Sequence, residues 1–257
     1  MPVSIDLKGK TAIVLGIIND KSIAYSIAKK LSDSGVKIVA GYQPRAEMIA
    51  VPTINTLQNT IPIPCDVVDE ALLNSFFEKV KQELGKVDFI VHSIAFAKKE
   101  HLQGKFLDVN KRGFEVAQEV SAYSLVEITR RALPIMNSGG SIIAMTYLGS
   151  EKVVPNYNVM GIAKASLEAC VRYLAYDLGE KNIRVNAISA GPIATLAATA
   201  IKDFYDMMLN YTAKAPLKRT ITTDEVANTA LFLVSDLSSG ITGQVIYVDA
   251  GYCIMGI

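Results

Sequence analysis

Short apolar runs alternate along the chain with longer stretches in which apolar positions recur every three or four residues. The run TAIVLG is followed by SIAYSIAKKLSDSG, then VKIVAGY, then IPIPCDV and an amphipathic segment from Glu70 to Leu84. Next come VDFIVHSIAFA, a long helical stretch from Phe114 to Met136, GSIIAMTY, a helix from Gly161 to Leu178, IRVNAISAGP, a helix from Asp224 to Val234, and QVIYVDAG. Near-continuous apolar strands suit a parallel sheet covered on both faces, because alternation is needed only where one face meets water. Strand and helix in turn predict βαβ units with right-handed crossovers. The expected fold is α/β: one doubly wound sheet of seven parallel strands with helices on both faces, a single domain over 1–257.

Two segments break this rhythm. One is AKKEHLQGKFLDVNKRG after the fourth strand; the other is IATLAATAIKDFYDMMLNYTAKAPLKRT after the sixth. Both follow the carboxyl end of a strand, where open α/β sheets bind their ligands, so they are read as substrate lids near 97–113 and 193–220. The segment MIAVPTINTLQNT carries Pro52 and β-branched residues, which predict a short or interrupted helix.

Half of the 257 residues are apolar, enough for such a core, and the formal net charge is only +1. Scattered Lys and Arg form no basic stripe for nucleic acid and no polybasic membrane anchor. Cys65, Cys170 and Cys253 lie far apart and the only histidines are His92 and His101, so no metal-ligand spacing emerges; buried, reduced thiols and no metal are expected. Asp6, Lys8 and Lys10 interrupt the apolar N-terminus, which reads as neither a signal peptide nor a spanning helix; a cytoplasmic protein without membrane insertion is expected.

The first strand-to-helix turn, LGIINDKSIAYSIAKKL, has one glycine, Gly16, where a dinucleotide fold commonly has several. Gly16 can supply the tight turn, Ser22 can cap the helix and offer its hydroxyl to a phosphate, and the Ile23 amide stands beside it. A plain capped helix fits this stretch equally well. In PNYNVMGIAKASLEACVRYLAYDLG, Tyr157 and Lys164 are seven residues apart, close to two helical turns and so nearly on one face.

With its flanks GSIIAMTY and NIRVNAISAGP, this string resembles the short-chain dehydrogenase/reductase superfamily, which has a Rossmann-type fold. The usual superfamily tyrosine, four residues before the lysine, is replaced by Met160, and the usual serine place holds Tyr147. The single-glycine loop GIINDKSIA, HSIAFA, YNVMGIAKASLEA and NAISAGPIATLAA are similar to the divergent branch, bacterial enoyl-acyl-carrier-protein reductases, from about Leu7 to Gly251.

That resemblance implies hydride transfer from a reduced nicotinamide to a trans-2-enoyl thioester carried on acyl carrier protein, the last reductive step of fatty-acid elongation. It assigns Tyr157 to the thioester oxygen as a neutral phenol, Lys164 to the nicotinamide ribose, and Tyr147 to the acyl site with a catalytic contribution. Ala97, Tyr147, Tyr157 and Met160 would line the substrate site. Gly16, Ser22, Ile23, Gln43, Asp66, Val67, Ile94, Lys164, Ile193, Ala194, Thr195, Leu196 and Ala197 would hold the cofactor. NADH is favoured because Gln43 can bond a ribose hydroxyl, with NADPH the alternative if Arg45 meets a 2′-phosphate rather than being turned outward by Pro44. The resemblance also implies a homotetramer packed through the helices after the fourth and fifth strands. Lys98, Lys99, Lys202 and Arg219 are candidate contacts for an acidic carrier. Two rival readings stay open: an ordinary short-chain ketone reductase, and a nicotinamide-binding protein without catalysis.

Overall fold

The structure is a computed structural model and describes residues 5–196 and 198–256. Its strands are β1 (Thr11–Leu15), β2 (Lys37–Tyr42), β3 (Thr60–Pro64), β4 (Val87–His92), β5 (Met136–Thr146), β6 (Arg184–Ala190) and β7 (Val245–Val248). They form one seven-stranded sheet in the order β3-β2-β1-β4-β5-β6-β7, with every neighbouring pair parallel. The helices are α1 (Ile23–Asp33), α2 (Glu47–Ile54), α3 (Glu70–Leu84), α4 (Lys111–Gln118), α5 (Ser124–Ala132), α6 (Asn158–Gly179), α7 (Phe204–Lys214) and α8 (Thr223–Val234). Among the described residues no helix is long and apolar enough to cross a membrane.

Successive residues of β1 explain why this sheet needs helices on both sides. Ala12 and Val14 join a core with Ile27 and Leu31 of α1 and Val226 and Leu233 of α8. Ile13 and Leu15 point the other way, into a core with Phe76 of α3, Leu125 and Ile128 of α5, and Leu167 and Val171 of α6. All four β1 residues are at most 1% exposed, so neither face could be left to water. The crossover direction changes between β1 and β4, which places a crevice at the carboxyl ends of these adjacent strands.

Several boundaries differ from the sequence reading. The stretch from Phe114 to Met136 is not one helix: α4 begins earlier, at Lys111, a π-helical turn spans Glu119–Tyr123, α5 follows, and Met136 already belongs to β5. Pro134, in the 3-10 turn Leu133–Ile135, has no amide to extend α5, and the chain turns extended at Met136. The helix expected from Gly161 starts at Asn158 and runs through Gly179. Pro52 shortens α2 to eight residues without breaking it, since it stands near the helix end, where the carbonyl left without its amide is that of the exposed Met48.

Of the cysteines, only Cys65 is buried; Cys170 and Cys253 are half-buried, and all three are free thiols. The expectation of three buried thiols therefore holds for one of them, because Cys170 packs at the edge of one core and Cys253 lies in the turn Tyr252–Ile254 after β7.

Candidate active site

The turn after β1 is shaped by Gly16, whose φ is 104°. A side chain there would put Cβ 2.1 Å from the Ser93 carbonyl oxygen, so the turns after β1 and β4 touch through backbone alone. Ser22 occupies the N-cap position of α1, but its hydroxyl does not cap the helix. It accepts from the Ile18 and Asn19 amides, each at 3.1 Å, and so closes the turn on itself. This corrects the expected capping role: the turn has its own unpaired amides, and the hydroxyl satisfies two of them. The first amides of α1, beginning with Ile23, are left facing outward at the positive end of the helix. A backbone cradle with no room for Cβ, leading to an uncapped helix N-terminus, fits the pyrophosphate of a dinucleotide.

The residues expected at the adenosine half, Gln43 and Asp66, lie just after β2 and β3. Gln43 Nε2 donates to Asp66 Oδ2 at 3.3 Å, and Asp66 Oδ1 accepts from the Val68 amide at 3.2 Å. Arg45 is not simply turned away by Pro44: its Nε donates to Gln43 Oε1 at 2.5 Å and its guanidinium lies over the Phe96 ring, 5.2 Å from the centroid. Val67 and Ile94 are partly buried against the core beneath them.

The carboxyl end of β5 and the start of α6 bring the other predicted residues together. Tyr147 follows the last residue of β5, and Tyr157 is the N-cap residue of α6. A separate apolar cluster contains Ala97, Leu102, Ala117, Tyr157, Met160 and Ala163, with Tyr147, Val109 and Ile201 packed against it. All four residues expected at the substrate are in this cluster, and both interrupting segments reach it, the first through Leu102 and Val109 and the second through Ile201. Tyr147 also donates to Met207 Sδ of α7 at 3.8 Å.

Burial controls the charges here. The Tyr157 hydroxyl is pushed far above the ordinary phenol range by burial, with Tyr147 and Glu168 adding to the shift, so it is a neutral donor at neutral pH. Tyr147 is raised by the same effect to about 12. Lys164 is 5% exposed and its Nζ donates to the Met145 carbonyl at 2.7 Å. Burial lowers its pKa to about 8, against an opposing pull from Glu168.

Glu168 was not anticipated from sequence. It stands one turn beyond Lys164 on α6, is 5% exposed, and accepts from Thr146 Oγ1 at 2.6 Å. Its spacing from Lys164 was the available signal, since residues four apart share a helix face. His92 is the other group missed: fully buried at the end of β4, its Nε2 lies 2.7 Å from Ser124 Oγ.

In the loop after β6, Ile193 packs against the core while Ala194 and Leu196 are exposed. Thr195 Oγ1 accepts from the Ala198 amide at 3.2 Å, giving the loop a local turn. The predicted contact Ala197 lies outside the described residues. Arg219 is engaged by Glu225 at 2.6 and 3.0 Å and is not an open cation, whereas Lys98, Lys99 and Lys202 are exposed.

A sequence profile of the family described as "Enoyl-(Acyl carrier protein) reductase" matches residues 16–253. A Synechocystis protein named enoyl-[acyl-carrier-protein] reductase [NADH] FabI is 52% identical over 256 residues, covering 98% of this chain and 99% of that protein. A Bacillus cereus protein of the same name is 49% identical over 253 residues, covering 97% and 99%. The crystal structure of the Bacillus cereus reductase with NADP+ and an indole naphthyridinone superposes with a TM-score of 0.95 at 48% identity, covering 99% of this chain and 100% of that one. An Anaplasma phagocytophilum reductase in complex with NAD gives a TM-score of 0.94 at 41% identity, covering 100% and 98%.

Proposed function

The chain belongs to the enoyl-acyl-carrier-protein reductase family, and from that premise we propose that it reduces the trans-2 double bond of enoyl thioesters with NADH. The observation that carries this reading is the apolar cluster in which Ala97, Tyr147, Tyr157 and Met160 meet beside the buried Lys164. An acyl chain needs an apolar, water-poor seat, and the developing oxyanion needs one neutral donor within it.

Bound nicotinamide supplies the hydride for the β-carbon of the thioester. Tyr157, held neutral by burial, donates to the thioester oxygen as negative charge grows there. Lys164 would hold the nicotinamide ribose hydroxyls, and its charge makes the surrounding field positive. The Gly16 turn and the Ile23 amide would hold the pyrophosphate, Gln43, Asp66, Val67 and Ile94 the adenosine half, and Ile193 to Leu196 the nicotinamide side. Tyr147 and Met160 shape the acyl site, and the segments near 97–113 and 193–220 act as its lids.

A cytoplasmic homotetramer using carrier-bound substrate completes this reading. Tyr173 and Tyr176 of α6 are 74% and 84% exposed, apolar area of the kind a neighbouring subunit covers. Lys98, Lys99 and Lys202 form the surface suited to an acidic carrier. Light scattering tests the assembly.

The test of function is a short trans-2-enoyl thioester mixed with the protein and NADH, then NADPH, followed through the reduced-nicotinamide absorbance. Rapid loss with NADH supports the reading. Binding of the cofactor without turnover, or turnover of ketones instead, would replace it with one of the two rivals. NADPH use is the second outcome to measure, because Arg45 lies at the adenosine end, bonded to Gln43.

A further inference from the structure

Between α4 and α5, the chain makes a π-helical turn at Glu119–Tyr123. Such single turns widen a helix locally and re-aim a side chain, and they are frequent at functional sites. Here the turn aims Ser121, which is 0% exposed, at one peptide of the loop after β4. Ser121 Oγ accepts from the Phe96 amide at 3.0 Å and donates to the Phe96 carbonyl at 3.2 Å. One hydroxyl thus satisfies both polar groups of Phe96, and among the described residues neither group has another hydrogen-bond partner.

Ser124, three residues on, fixes the same loop at its root. Its hydroxyl donates to the Val120 carbonyl at 2.7 Å, so it receives the Nε2 proton of His92, which is also 2.7 Å away. Burial and the nearby Lys164 depress the His92 pKa to about 3, so the ring is neutral and keeps this one-proton arrangement across the working range. The loop is therefore tied at His92 and again at Phe96, on either side of Ile94, and Ala97 follows immediately.

We propose that Ser121 is a positioning residue for the reduction: the π turn holds the Phe96 peptide so that Ile94 on one side and Ala97 on the other present cofactor and acyl chain to each other. This rests on the reductase reading above. Ser121 touches neither reactant and acts through Phe96.

Ser121→Ala is compared with Ser121→Thr, which keeps the hydroxyl, and with Ser141→Ala. Ser141 is equally buried and bonds one carbonyl, that of Leu233, from the middle of β5. For Ser121→Ala, kcat/KM for the enoyl thioester falls at least tenfold through both kcat and KM, the NADH dissociation constant changes less than threefold, and exchange of the Phe96 amide accelerates. Ser121→Thr recovers most of the loss, and Ser141→Ala lowers Tm without moving either kinetic constant. Should Ser121→Ala not fold, Ser121→Val takes its place against Ser121→Thr, the two differing by hydroxyl and methyl at equal bulk. A native protein that turns over the thioester while the hydroxyl-free variant matches it in kcat/KM overturns the positioning role. A native protein inactive on the thioester overturns the reductase reading itself.

Discussion

Tyr147 and Tyr157 meet edge to face, their ring centroids 5.0 Å apart with the planes at 75°. That arrangement sets the positive rim of one ring against the negative face of the other. Packing therefore holds the Tyr157 ring independently of its hydroxyl, which the proposed function assigns to the substrate.

Tyr157→Phe separates the two roles. We expect kcat to fall by about two to three orders of magnitude, the scale for losing one oxyanion donor, while stability changes by less than about 1 kcal/mol because the ring contact stays. Steady-state kinetics with the enoyl thioester, beside a thermal melt, check both. Tyr147→Phe, which gives up only a long contact to Met207 sulfur, should be milder.

Lys164 gives the protein a basic limb. In the free protein its pKa is depressed from 10.5 to about 8, so kcat/KM for NADH should fall as pH rises above about 8. The stability effect has the opposite sense. Between about 8 and 10.5 the unfolded chain holds more of this proton than the folded one, so native stability relative to Lys164→Met should rise with pH across that window. A falling or flat difference in melts between pH 8 and 10 would contradict the charged, buried lysine.

Gly16→Ala should damage both fold and cofactor binding. The new methyl would sit 2.1 Å from the Ser93 carbonyl oxygen at a φ of 104°, and the backbone must shift to relieve it. A loss of about 2–3 kcal/mol is expected from the combined clash and strain. Denaturant melts and NADH titration read the two consequences separately.

Arg184→Met should weaken the fold and leave chemistry alone. Its guanidinium donates to the Leu233 and Ser235 carbonyls at 2.8 and 3.3 Å and to Ser238 Oγ at 2.8 Å, joining the start of β6 to the end of α8. Removing it takes away three hydrogen bonds from a charged donor, while Ser141 and Ser238 still serve the two carbonyls, an expected cost of about 1.5–3 kcal/mol. Unchanged kcat at temperatures well below Tm would confirm the separation.

The sheet was legible because each strand is a short apolar run and each face of β1 must be buried, which leaves few alternatives to double winding. Tyr157 and Lys164 stood out by their spacing on one helix and Met160 by the family resemblance, and the apolar cluster joins Tyr157 and Met160 to Ala97 and Tyr147. Less visible were features that depend on what a hydroxyl or carboxylate meets after folding. Ser22 reads as a helix cap, yet its oxygen serves the turn before the helix. Nothing in its helical spacing shows that Glu168 is buried and accepts from Thr146. The break between α4 and α5 was missed because π and α turns have nearly the same apolar period over so short a stretch.

A π turn closes its hydrogen bonds one residue further along than an α turn, so the stretch Glu119–Tyr123 amounts to an insertion of about one residue in an otherwise ordinary helix. Deleting one residue there would let α4 and α5 join with their outer faces still in register, and only the aim of Ser121 would be lost. Chain length at this point is thus a functional variable: a shortened protein can keep its sheet and helices and still be the poorer catalyst.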